Sequence, residues 1–84
     1  MIETVNADVA ARLEEVARIL NEQGANDFRV NAYLRAATTI KRLKRPVSGI
    51  VRADGIEGLR RLPGIGETLA RAIQQTVVSG RMPM

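Results

Sequence analysis

The chemistry within reach of this chain is concentrated in Leu62-Pro63-Gly64-Ile65-Gly66, and it is backbone chemistry. Two glycines one residue apart do not continue a helix cheaply, and Pro63 locks its own φ while removing a donor. The five residues therefore read as a tight turn between a short helix over 56–61 and a helical pattern from Glu67 to Val78. Amides at the start of the second helix have no intrahelical partner and sit at the positive end of the helix dipole. That arrangement suits an anion, above all a phosphate. Side-chain catalysis has little to work with. The chain has no His and no Cys, so the commonest general base, the commonest metal ligand and any thiolate or disulfide are missing. No Ser stands with a partner base, and no acidic cluster is placed to hold Mg²⁺.

The elements that must position this turn read as helices. Asn6 is expected to cap a first helix from Ala7, whose stripe of Val9, Leu13, Val16, Ala17 and Leu20 follows helical spacing and ends at Gly24. Its other face carries Arg12, Glu14, Glu15 and Arg18. Asn26 or Asp27 caps a second helix, roughly Phe28 to Lys44, with Tyr33, Ala36, Ala37, Ile40 and Leu43 turned inward. Arg35, Thr38, Arg42 and Arg45 recur on the opposite side with Lys41 beside them, a basic ridge, while Lys44 snorkels from the apolar edge. Pro46 ends that helix or opens the next. Residues 46–55 fit a short helix or a loop, and Asp54-Gly55 signals a turn. In the last helix Leu69, Ile73, Thr76 and Val77 face in, Thr68, Arg71 and Gln75 face out, and Gly80 is the stop. Only Ile50-Val51 and Val77-Val78 are β-prone, and neither lies in an alternating run. The expected fold is all-α: a compact bundle of four to five short helices, one domain over 1–84, consistent with a piece of a longer chain.

Charge is divided unevenly along the 84 residues. The total is +4, from 13 basic and 9 acidic residues. Residues 1–28 set two arginines against six acids, a net of −4, whereas residues 29–84 set 11 basic residues against three acids, a net of +8. A basic half of this strength points to a polyanion. No apolar run is long enough to span a membrane and no signal-peptide pattern opens the chain, so the expected location is the cytoplasm and the expected state a monomer.

Leu62-Pro63-Gly64-Ile65-Gly66 after a short helix resembles the hairpin of a helix-hairpin-helix motif. Asn26-Asp27-Phe28-Arg29-Val30-Asn31-Ala32-Tyr33-Leu34-Arg35-Ala36-Ala37 resembles a helix in the N-terminal domain of family X DNA polymerases, the DNA polymerase beta group, in its bacterial and archaeal form. The likeness runs from about Val9 to Gly80. It implies a helical domain that binds the 5′-phosphate side of a gap or nick in DNA repair, without reading sequence, ahead of a polymerase or nuclease domain. It also implies roles for residues. Amides near Gly66 hold a phosphate, and Arg29 and Tyr33 match the basic residue and Tyr of the family's 5′-phosphate pocket; from the residues themselves the amides of Gly64, Ile65 and Gly66 with Thr68 and Arg71 are expected to grip the backbone, Arg60 or Arg61 to touch it, and Arg35 to join the second contact. Carbonyls of Arg60, Leu62 and Ile65 take a monovalent cation, Na⁺ or K⁺, and no other cofactor is required. Members with 5′-deoxyribose-phosphate lyase activity keep a Lys where this chain has Ala72, and a last-helix Lys in their phosphate pocket where it has Thr68. Schiff-base chemistry needs a primary amine, so a binding module without lyase activity is expected. Competing expectations are a protein-docking module, or residual lyase activity through Lys41, Lys44 or the N-terminal amine. Glu67 would repel a phosphate and is expected to turn aside.

Overall fold

The computed structural model describes the backbone of residues 2–79 and the side chains of residues 5–79. Four helices follow in order: α1 (Ile2–Glu22), α2 (Asp27–Arg42), α3 (Val47–Arg60) and α4 (Glu67–Ser79). No strand occurs among the described residues. The two halves of the chain each make a helical pair, α1 with α2 and α3 with α4, and the pairs close on each other around one core. Leu13 of α1, Ile40 of α2, Val47, Ile50 and Leu59 of α3 and Ile73 of α4 are fully buried there. Burying such side chains contributes about 1.5–3 kcal/mol each.

The local signals explain most of the boundaries. The apolar stripe of α1 is buried as expected, from Val9 to Leu20. Its C-terminus closes as a Schellman turn, the Ala25 amide donating to the Leu20 carbonyl (2.9 Å) and the Gly24 amide to that of Asn21 (3.2 Å). Asn26 caps α2, its side chain accepting from the Arg29 amide at 2.9 Å. α2 stops at Arg42, two residues before Lys44, because Leu43 is extended (φ −63°, ψ 138°) and leads into Pro46. Leu43 is half-buried and Lys44 exposed.

Asn6 does not cap α1. It lies inside the helix and is buried. Its side-chain amide donates to the Arg45 carbonyl (3.0 Å) and its oxygen accepts from the Val47 amide (2.8 Å). α3 begins at Pro46 without a side-chain cap of its own, so α1 supplies the missing acceptor from 41 residues away. Residues 47–60 then comprise two short helical arms that meet at a break at Gly55. Gly55 has φ 62° and ψ −145°, a conformation essentially confined to glycine. The Asp54-Gly55 break and the short helix expected after it are thus both present, as the junction within α3 and its second arm. In α4, Leu69, Ile73 and Thr76 are buried, Val77 is half-buried, and Thr68, Arg71 and Gln75 are exposed. Gly80, the expected stop, lies outside the described residues.

Candidate nucleic-acid interface

The connection between α3 and α4 is a hairpin whose carbonyls and amides are used unequally. The Arg61 amide donates to Glu57, the Leu62 amide to Leu59 and the Ile65 amide to Leu62, which closes the turn. Gly64 sits at φ +77°, the left-handed region that favours glycine. The Gly66 carbonyl accepts the first helical bond of α4, from Ala70 at 2.9 Å, so Gly66 is its N-cap residue. The amides of Gly64, Gly66, Glu67 and Thr68 find no backbone acceptor among the described residues. The Ile65 side chain is buried and anchors the bend in the core, while Gly64 and Gly66 are exposed. Among the carbonyls, those of Arg60 and Ile65 accept nothing within the described residues, and that of Leu62 keeps a lone pair beside its bond to Ile65. These are the three oxygens expected to face a cation, and all retain acceptor capacity.

The hairpin is strapped to α2. Thr39 Oγ1 donates to the Pro63 carbonyl at 2.8 Å. A Cβ at Gly64 would stand 3.8 Å from Arg35 Cβ. Between the two elements runs an open groove of about 490 Å³ lined by Asn31, Leu34, Arg35, Thr38, Thr39, Pro63 and Gly64. A smaller hollow continues it past Thr38 and Thr39 to Arg42. Thr39 escapes sequence reading because it borders the buried stripe and only docking of the hairpin gives its hydroxyl a partner.

The cations expected to surround the turn divide into two classes. Arg60 bonds Glu57 at 3.1 Å, Arg61 lies 3.8 Å from Asp54, and Arg71 bonds Glu67 through Nη2 at 2.8 Å and Nε at 3.1 Å. Glu67 therefore lies along its own helix against Arg71, in keeping with the expectation that it turns aside. Arg29, Arg35, Arg42 and Arg45 pair with no acid among the described residues. Lys41 departs from the expected ridge, since it reaches across to Glu14 of α1 at 2.7 Å. Uncompensated positive charge thus gathers along α2, beside the hairpin more than at its flanks.

Other expected site residues are placed more loosely. Arg29 stands exposed in the first turn of α2. The Tyr33 ring is 6% exposed and belongs to the core, and its hydroxyl is not a buried orphan. Neither Arg29 nor Tyr33 lines the groove beside the hairpin. Thr68 is exposed on α4, and Ala72 is buried. Among the described residues, no group of His, Cys, Asp or Glu side chains could hold a metal ion.

Compared with known proteins, residues 4–82 match the family model described as "Helix-hairpin-helix domain". No curated protein matches the chain.

Proposed function

Because the chain belongs to the helix-hairpin-helix domain family, whose members bind DNA without reading its sequence, we propose that it grips DNA backbone at its own hairpin. One observation carries the reading: Gly64, Gly66, Glu67 and Thr68 are exposed and their amides have no backbone acceptor among the described residues. Charge-assisted bonds from such amides to a phosphate are short and about twice as strong as neutral ones. Arg71 contributes a guanidinium one turn into α4, and Arg35 a second on the groove side. Contacts of this kind position a protein on DNA but carry no base information.

The finer proposal is the N-terminal domain of a DNA polymerase X-like protein, acting in repair on the 5′-phosphate side of a gap or nick and followed by a polymerase or nuclease domain. It is supported by the residues from Asn26 to Ala37 together with the hairpin at its separation from them. In that setting Arg29 and the Tyr33 hydroxyl form a second phosphate contact, and the carbonyls of Arg60, Leu62 and Ile65 hold Na⁺ or K⁺. Such an ion would add positive charge beside the bound phosphate. The domain is proposed to bind and not to cleave, since Ala72 offers no amine and Lys41 is engaged by Glu14. No described helix is long and apolar enough to cross a membrane.

Amide chemical-shift mapping with gapped, 5′-phosphorylated DNA tests the reading. Shifts centred on residues 60–71, largest at Gly64 and Gly66, are the expected result. Shifts confined to residues 1–25 would place the contact on α1 and overturn it.

A further inference from the structure

The stretch that contains the hairpin is electrically neutral. Arg60, Arg61 and Arg71 are matched by Asp54, Glu57 and Glu67, so residues 54–71 carry no net charge inside a half of the chain that carries +8. The structure pairs these six charges one to one. Arg60 donates to Glu57 at 3.1 Å, and Arg61 lies 3.8 Å from Asp54 across the Gly55 break. Nε and Nη2 of Arg71 both donate to a single oxygen of Glu67, at 3.1 and 2.8 Å. That edge of the guanidinium fork is also the one suited to a phosphate oxygen. All six residues are exposed. Exposed ion pairs are weak and screened by salt, so each arginine is held without being locked. Arg35 and Arg42 on α2, by contrast, meet no acid among the described residues.

We infer that Asp54, Glu57 and Glu67 are internal competitors of the DNA backbone: in the free protein they occupy the hairpin arginines, and phosphates bind by displacing them. The inference rests on the hairpin reading above and adds what sets the strength of its grip. Three bare arginines beside the bend would each gain a full charge-assisted bond from a phosphate. With an acid already in place, each contact exchanges one anion for another and gains only the difference between them. The amides of Gly64 and Gly66 have no such rival, so the bend keeps its full preference for an oxyanion while the guanidinium groups add little net attraction. Long-range attraction then falls to the free cations of α2, which draw DNA toward the groove side of the hairpin. The same pairs would serve a different end if the acids merely aimed the guanidinium groups at DNA. The two roles differ in sign, because removing a competitor tightens binding and removing a positioning partner weakens it.

Fluorescence anisotropy with a 5′-phosphorylated duplex, at one fixed salt concentration, tests this on the 84-residue chain. One variant carries Asp54→Asn, Glu57→Gln and Glu67→Gln. A control carries Asp8→Asn, Glu15→Gln and Glu22→Gln on α1, and each raises the net charge from +4 to +7. The hairpin variant is expected to bind roughly 3- to 100-fold more tightly than the wild type, the range set by three exposed ion pairs. The control is expected to stay within about twofold, because charges remote from the contact are screened. Glu67→Gln alone should tighten binding by roughly 1.5- to 5-fold, and the gain should vanish when Arg71→Ala is also present. Amides of the same shape replace exposed carboxylates, so both triple variants are expected to melt as single folded domains. Weaker or unchanged binding by the hairpin variant, equal tightening by the control, or a Glu67→Gln gain that survives Arg71→Ala overturns the competition. Absence of DNA binding by the wild type and by every variant overturns the hairpin reading itself.

Discussion

Gly64 and Gly66 look equivalent in the sequence and do different jobs. Gly64 holds φ +77°, which an L side chain adopts only with strain. Gly66 does not have a positive φ, and a Cβ added to it would meet nothing within 4 Å. Gly64→Ala should therefore destabilise the fold by about 1–3 kcal/mol. A change of about 1 kcal/mol lowers the melting temperature by roughly 4–8 °C in a domain of this size, so calorimetry reads it easily. Gly66→Ala should cost less than about 1 kcal/mol, through weaker capping of α4. Its methyl group would stand among the amides that face the phosphate, so DNA affinity should fall roughly tenfold or more as charge-assisted bonds are lengthened. A folded Gly66→Ala protein with wild-type affinity would move the phosphate elsewhere. The sequence shows the two glycines and the bend plainly. It does not show which one is required by backbone geometry, because φ at each depends on how Pro63 and Ile65 dock.

At the level of helices, the decisive joint is Asn6. An Asn six residues in, followed by Ala7 and Asp8, reads as a cap because its side chain can bond locally. In the structure α1 continues through it, and the same side chain satisfies the Arg45 carbonyl and the Val47 amide. Asn6→Ala should therefore disturb the start of α3 more than α1. It orphans the buried Val47 amide and leaves the part-buried Arg45 carbonyl without its partner, at about 1–3 kcal/mol for such a loss, and hydrogen exchange should accelerate first at Val47 and its neighbours. Faster exchange confined to α1 would instead restore Asn6 to the role of a local cap. The kink at Gly55 belongs to the same level. Asp54-Gly55 marks a break in the sequence, and one helical arm ends and another starts there, with the angle between them fixed by close packing at Gly58. A Cβ there would approach Asp54 Cβ to 2.6 Å and Ile50 Cγ2 to 2.9 Å, so the second arm of α3 closes tightly on the first. That contact crosses the bend and is invisible to a helical wheel drawn on either arm.

Over the whole molecule, charge is sorted by contact as well as by sequence. On α1, Arg18 bonds both Glu15 and Glu22, and Glu14 takes Lys41. The bond from Arg18 holds the Glu15 carboxyl below its ordinary range, and the bond from Glu15 raises the Arg18 guanidinium. A carboxyl lowered in the fold adds stability above its unfolded pKa and loses it as pH falls through the folded value. At this exposed pair the effect is small. With no histidine the chain lacks the side chain that changes charge between about pH 5 and 8, so DNA affinity should be flat from roughly pH 6 to 8. Salt is the effective variable. Neutralising four to six phosphates gives a slope of log K against log salt of roughly −4 to −5 on duplex DNA. A slope near zero would remove the electrostatic part of the proposal, and a steep pH dependence would require a titrating side chain that this chain does not have. The apolar spacing, the cap at Asn26, the breaks at Gly24 and Gly55 and the bare bend at residues 62–66 are local properties, and the sequence by itself determined them: they depend on side chains three or four residues apart or on a single backbone angle. That Lys41 crosses to Glu14, where Thr39 and Asn6 send their hydrogen bonds, and that Phe28 remains in water were decided only by the tertiary structure. Each is a relation between segments 20 or more residues apart, or an exposure that exists only once the helices have packed.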